Sequence, residues 1–176
     1  MRVCFVCLGN ICRSPAAEAI LRRMAEEEGV DLVVDSAGTA DYHVGEPPHE
    51  LSEAEGRRRG YRLDHRGRQF TRADFAAYDL VVPLDAANEM DLRELAPDGE
   101  AARKVVRLGA FLPGPDGGLL DAADVEDVAD PWGMPASAYA EMYDHLERAC
   151  RALLQRIQDG TLGELLDAYA GGLTSR

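Results

Sequence analysis

Cysteine is scarce in this chain: Cys4, Cys7, Cys12 and Cys150 are the only four among 176 residues. That is too few for a disulfide scaffold, and a chain of this length buries a core without such staples. No second Cys or His pair completes the tetrahedral zinc set that Cys4-x2-Cys7 would begin. Residues three apart on a strand also face opposite sides, so Cys4 and Cys7 cannot chelate together. No metal and no cofactor is expected. Basic residues are outnumbered, 19 against 32 acidic, for a net charge of −13. Such a chain repels nucleic-acid backbones and anionic membrane surfaces, which excludes both as partners. No apolar run is long enough to span a bilayer. The first apolar run is too short for a secretory leader. The expectation is a cytoplasmic protein with reduced thiols, a monomer or weak dimer, without internal repeats.

What is present centres on Val6-Cys7-Leu8-Gly9-Asn10-Ile11-Cys12-Arg13-Ser14-Pro15. The apolar run before it reads as a buried strand, and a helical pattern starts at about Pro15. The loop between them begins with a thiol and ends with a guanidinium. It is short enough to curl Cys7 and Arg13 toward one point. A loop that leads into a helix N-terminus aims backbone N–H groups at the same point. Gly9 and Asn10 tolerate the left-handed backbone that this requires. Leu8, Gly9, Asn10, Ile11, Cys12, Arg13 and Ser14 would together line an anion nest sized for a tetrahedral oxyanion. The same positive field favours a thiolate at Cys7. A nucleophile beneath a bound phosphate is thus a single inference.

Periodicity supplies the frame. Arg2–Cys7, Leu32–Asp35, Tyr78–Leu84 and Lys104–Leu108 read as four apolar strands alternating with helices. The helices are expected over Pro15–Glu28, His49–Gly60, about Arg72–Ala77 with Thr71 as cap, from Asp85 as N-cap to Ala96, and from Ser137 to Gln158. Strand–helix–strand order implies right-handed parallel crossovers. The fold class is therefore α/β: three layers, a four-stranded parallel sheet with helices on both faces, and a site at the carboxyl end of the first strand. Ser36-Ala37-Gly38-Thr39 reads as a turn. The basic run from Arg57 to Arg72 reads either as a solvated face or as a docking patch for acidic partners. Cys150 falls inside the apolar stripe of the last long helix.

The Cys7–Pro15 loop resembles that of the low-molecular-weight protein tyrosine phosphatases, over about residues 1–158. Residues 159–176 form an extension of unassigned role. The resemblance implies a flavodoxin-like fold of the phosphotyrosine phosphatase I type. It also implies metal-independent hydrolysis of phosphotyrosine in proteins through a phosphocysteine. Cys7 is then the nucleophile, Arg13 and the loop amides bind phosphate, and Asp130, in Asp130-Pro131-Trp132, is the general acid and base. Pro131 restricts Asp130 to extended backbone. Asp124 and Asp127 are candidate like-charge neighbours that favour its protonated form. Ser36 and His65 match residues that brace the loop, and Tyr42 and Trp132 match the crevice walls. Cys12 is a redox candidate, able in that family to pair with Cys7. Tyrosine-phosphorylated proteins, and a cognate tyrosine kinase, are the implied partners. Arsenate reductases share C-x5-R but need further redox cysteines. Arginine phosphatases carry threonine where this chain has Ile11. A phosphate-binding module without catalysis would need neither thiol nor acid.

Overall fold

A computed structural model describes residues 1–121 and 123–174. Three parallel strands form its sheet: β1 (Arg2–Cys7), β2 (Val33–Gly38) and β3 (Leu80–Pro83), in the order β2-β1-β3. β1 is central and buried from Val3 to Cys7, which explains its unbroken apolar sequence. Its register sets Cys7 opposite Gly38 and Val6 opposite Pro83. Alternate residues enter different cores. Val3, Phe5 and Cys7 pack with α1 (Arg13–Glu28) and α6 (Ala136–Gln158) on one face. Cys4 and Val6 pack with Phe75, Leu92 and Ala101 on the other. These three come from α3 (Asp74–Ala77), α4 (Ala86–Leu95) and α5 (Gly99–Arg103). Cys4 and Cys7 thus lie on opposite faces, which disposes of the zinc-knuckle geometry.

The expected fourth strand is reduced to one bridge. Val105 pairs with Val81 in parallel, through Val81 N–H to Lys104 O at 2.9 Å and Val106 N–H to Val81 O at 3.1 Å. α5 ends at Arg103, and a 3₁₀ turn begins at Leu108. The chain stays extended too briefly to build a ladder. β2 runs on through the segment read as a turn. It can do so because Gly38 passes the loop closely: a Cβ there would stand 2.6 Å from the Leu8 carbonyl oxygen. Gly38 also bridges to Gln69.

α2 spans Glu50–Arg58, and His49 caps it by accepting the Leu51 N–H at 3.3 Å. At α3 the capping roles are reversed from the expectation. Asp74 accepts from the Thr71 N–H and hydroxyl at 2.7 and 2.8 Å. Asp85 caps α4 as read, accepting the Asn88 N–H at 2.7 Å. Most of the basic run is ion-paired within the molecule. Arg57 pairs with Glu53, Arg58 with Glu55, Arg59 with Glu55, Asp144 and Glu147, Arg62 with Asp64, and Arg68 with Asp35 and Asp74. A solvated face, laced by its own carboxylates, is the better description. After α6 the chain forms α7 (Leu162–Thr174), which lays Leu165 and Tyr169 into the core, 2% and 5% exposed. Among the described residues no helix is long and apolar enough to cross a membrane.

Candidate active site

β1 delivers Cys7 to the carboxyl edge of the sheet, and α1 starts six residues later at Arg13. The loop between them turns at Asn10, whose φ of +57° lies in the left-handed region, one that asparagine tolerates better than most residues. That turn returns the Asn10 N–H to Cys7 Sγ at 3.3 Å. Ser14 Oγ stands 3.0 Å from the same sulfur. Cys7 itself is 3% exposed. No side chain caps the start of α1, so its first N–H groups are available to an anion.

The Asn10 side chain uses all its hydrogen-bonding capacity. Its Nδ2 donates to Ser14 Oγ at 2.9 Å and Ser36 Oγ at 3.0 Å. Its Oδ1 accepts from the Arg68 N–H at 2.9 Å and lies 2.7 Å from His65 Nε2. Ser36 Oγ donates in turn to Glu18 Oε2 at 2.6 Å, and His65 Nδ1 lies 3.3 Å from that oxygen. Glu18 also pairs with Arg22. Glu18, Asp35 and His65 bring their donor atoms within 4.8 Å of one another. Each is already engaged, Asp35 by Arg68, Tyr78 and the Ser36 N–H. The cluster is a brace behind the loop.

Arg13 is 3% exposed and held from two sides. Nη1 donates to Asp85 Oδ2 at 2.5 Å and Val128 O at 3.2 Å, and Nη2 to Asp130 Oδ2 at 2.7 Å. Burial works against its charge, but Cys7, Asp130 and Asp85 outweigh burial and hold the guanidinium above its ordinary pKa. Asp85 therefore does two jobs, Oδ1 capping α4 and Oδ2 anchoring Arg13. Residues 7–13, His43, Asp130 and Trp132 enclose a small pocket over the sulfur.

A thiol, a buried arginine and a carboxylate thus meet at one pocket. Residues 2–161 match the family model described as low molecular weight phosphotyrosine protein phosphatase. The chain belongs to the low molecular weight phosphotyrosine protein phosphatase family. A low molecular weight protein-tyrosine-phosphatase of Streptomyces coelicolor is 42% identical over 164 residues, 92% of this chain and 96% of that one. A crystal structure of a protein tyrosine phosphatase from Entamoeba histolytica, with Hepes in the active site, superposes with TM-score 0.83 at 30% identity, covering 92% of this chain and 99% of that one. An arginine phosphatase from Bacillus subtilis superposes with TM-score 0.78 at 26% identity, covering 90% and 96%. This chain is accordingly a hydrolase with phosphatase activity, acting on phosphoprotein substrates.

Within this phosphatase the expected residues are distributed unevenly. Leu8, Gly9, Ile11 and Cys12 line the pocket with Cys7, Asn10 and Arg13. Ser14, Ser36 and His65 stand behind it in the Asn10 network. Trp132, 54% exposed, forms one wall. Tyr42 is 71% exposed and stands outside the pocket lining. Its neighbour His43 lines the pocket instead, with its ring 5.3 Å from that of Trp132 and Nδ1 2.7 Å from Glu46. His43 carried no motif, but a Cβ at Gly9 would stand 3.0 Å from its ring, so the glycine was the available sign of a close neighbour. Asp127, expected as a like-charge neighbour of Asp130, has partners of its own. It pairs with Arg107 at 2.8 Å and accepts the Ala86 N–H at 3.0 Å. Cys12 is buried, and burial pushes its thiol up to about 12 although Tyr139 Oη, 3.9 Å away, opposes this. Tyr139 Oη lies in turn 3.1 Å from His49 Nδ1.

Proposed function

We propose that this phosphatase hydrolyses phosphotyrosine in proteins by two displacements at phosphorus. The Cys7 thiolate attacks in line, forming an S–P bond as the P–O bond to the tyrosine breaks. Asp130 gives its proton to the departing oxygen. Arg13 and the loop amides hold the equatorial oxygens, where charge develops. Asp130, now a carboxylate, takes a proton from water. The water oxygen attacks phosphorus, the S–P bond breaks, and orthophosphate leaves with the thiolate restored. The carrying observation is that Arg13, which lines one pocket with Cys7, is bonded directly to Asp130 at 2.7 Å. That contact supports a reading in which acid and phosphate clamp act around one sulfur. The incoming dianion takes the place that Asp130 holds on Nη2. The working place is the cytoplasm, and a cognate tyrosine kinase is the proposed source of substrate.

Other observations favour the phenyl ester. Ile11, where arginine phosphatases carry threonine, is apolar and lines the pocket. The later thiol an arsenate reductase would need, Cys150, is fully buried in α6, where burial pushes it far above its ordinary pKa. The test is turnover of para-nitrophenyl phosphate, a phosphotyrosine peptide, phosphoarginine and arsenate. The native chain should turn over the first two and Cys7→Ser neither, while still binding orthophosphate. Asp130→Asn should lose on the order of 10²–10⁴ in rate on the phosphotyrosine peptide, whose leaving group needs the proton. Preferred turnover of phosphoarginine would overturn the substrate assignment.

A further inference from the structure

We infer that α7, which lies beyond the segment matched by the family, is a positioning element for the acid. The Tyr169 hydroxyl acts through Glu89 and Arg107 to fix residues 125–128 and so the turn that carries Asp130. This rests on Asp130 being the acid of the reading above.

Glu89 sits on α4 and is 6% exposed. A carboxylate so buried persists only when fully partnered. Its Oε1 takes Arg93 Nε at 3.0 Å, and its Oε2 takes both Arg107 Nε at 3.0 Å and Tyr169 Oη at 2.9 Å. Burial and Glu89 push the phenol up to about 12, so Tyr169 keeps its proton and donates throughout the working range. From Glu89 the contacts run toward the site. Arg107 Nη1 reaches Asp127 Oδ1 at 2.8 Å and Val125 O at 3.3 Å. Asp127 Oδ1 also takes the N–H of Ala86, the first residue of α4, at 3.0 Å. One residue later Val128 bonds Leu84 O through its N–H at 2.8 Å and receives Arg13 Nη1 on its carbonyl at 3.2 Å. Asp130 follows two residues on.

The start of α4, which bears the Arg13 anchor Asp85, and the approach to the acid are therefore tied to one buried carboxylate. The tail hydroxyl supplies that carboxylate's remaining partner. Packing of Leu165 and Tyr169 in the core holds α7 in place to supply it. Loss of the hydroxyl leaves Glu89 with two arginines, so the chain still folds but the acid loop is less sharply held.

The test uses the full chain and aryl phosphates of graded leaving-group pKa. A poor leaving group depends on the acid, and a good one such as para-nitrophenolate scarcely does. Tyr169→Phe should lower kcat/KM for phenyl phosphate by about 3–10-fold and leave para-nitrophenyl phosphate within about twofold. The leaving-group dependence therefore steepens. Asp127→Asn should steepen it likewise, and the double variant should fall short of the product of the two. Equal losses on both esters, or no loss on either, overturn the inference. Asp130→Asn separates the two readings. If it does not steepen the dependence, the acid assignment fails. If it does and Tyr169→Phe does not, only the role of α7 fails.

Discussion

Asn10 compresses two functions into one residue. It accepts a left-handed backbone, and its amide ties Ser14, Ser36, His65 and Arg68 to the loop. Alanine removes both contributions, whereas glycine restores the backbone freedom alone. Asn10→Ala should cost about 5–6 kcal/mol of stability, from about 1 kcal/mol for each of the four lost bonds plus about 1–2 kcal/mol of left-handed penalty. Asn10→Gly should cost about 1 kcal/mol less. Urea denaturation of the two variants measures the difference, and equal losses would remove the backbone from the account. The loop's chemistry was legible at this scale because thiol, arginine, asparagine and serine stand within eight residues of sequence. His43 was not legible, since its proximity to Gly9 and Trp132 arises only from the path of a long loop. The partner of Asp127 was missed for a similar reason: Arg107 lies 20 residues away, and nothing local announces it.

Helices do more here than flank a sheet. α4 presents Asp85 at its N-terminus, where one oxygen caps the helix and the other pins Arg13. Asparagine is as good a cap as aspartate but carries no charge. Asp85→Asn should therefore keep a melting temperature near that of the native chain while kcat/KM falls about tenfold or more, the loss of a charged hydrogen bond of ~1.5–3 kcal/mol. Asp85→Ala should lose both stability and rate, as calorimetry beside kinetics would reveal. α2 is joined to α6 through Arg59, which links Glu55 to Asp144 and Glu147. Arg58, then Arg59, hold the Glu55 carboxyl down to about 2 from 4.5. A depressed folded pKa gives stability that is whole above the unfolded value and is lost as pH falls toward 2. Melting temperature followed from pH 5 to pH 2 should drop less steeply in Glu55→Gln than in the native chain. At this scale the sequence revealed which helices exist, through apolar stripes and the Asp85 cap. It misjudged the fourth strand because apolar content cannot report how long a segment stays beside its neighbour. It misjudged the end of β2 because Gly38 resembles a turn residue and serves instead as a slim neighbour to the Leu8 carbonyl. α5 was missed because Pro97-Asp98-Gly99 marks a break, and Asp98 turns that break into a new start by accepting the Ala101 N–H at 2.8 Å.

The whole molecule carries a charge of −13, yet its site is built to receive a dianion. The two fields act over different distances. The net charge governs approach and is screened by salt, while the loop acts at contact. Association with an acidic phosphopeptide should therefore quicken as ionic strength rises, and association with a basic one should slow. Stopped-flow binding to Cys7→Ser reads both slopes, and parallel responses would deny the net charge any steering role. The sulfur beneath that loop, 3% exposed, has a further consequence for chemical labelling. Reagents arriving at it are sorted by girth and by sign. A slender carboxylate such as iodoacetate should alkylate Cys7 faster than its uncharged amide, although the protein as a whole repels it, and orthophosphate should shield the thiol from both. Cys4 and Cys150 are buried away from the nest, and burial holds the Cys12 thiol up at about 12, so a single dose of haloacid should mark one cysteine in four and leave the others for mass spectrometry to count.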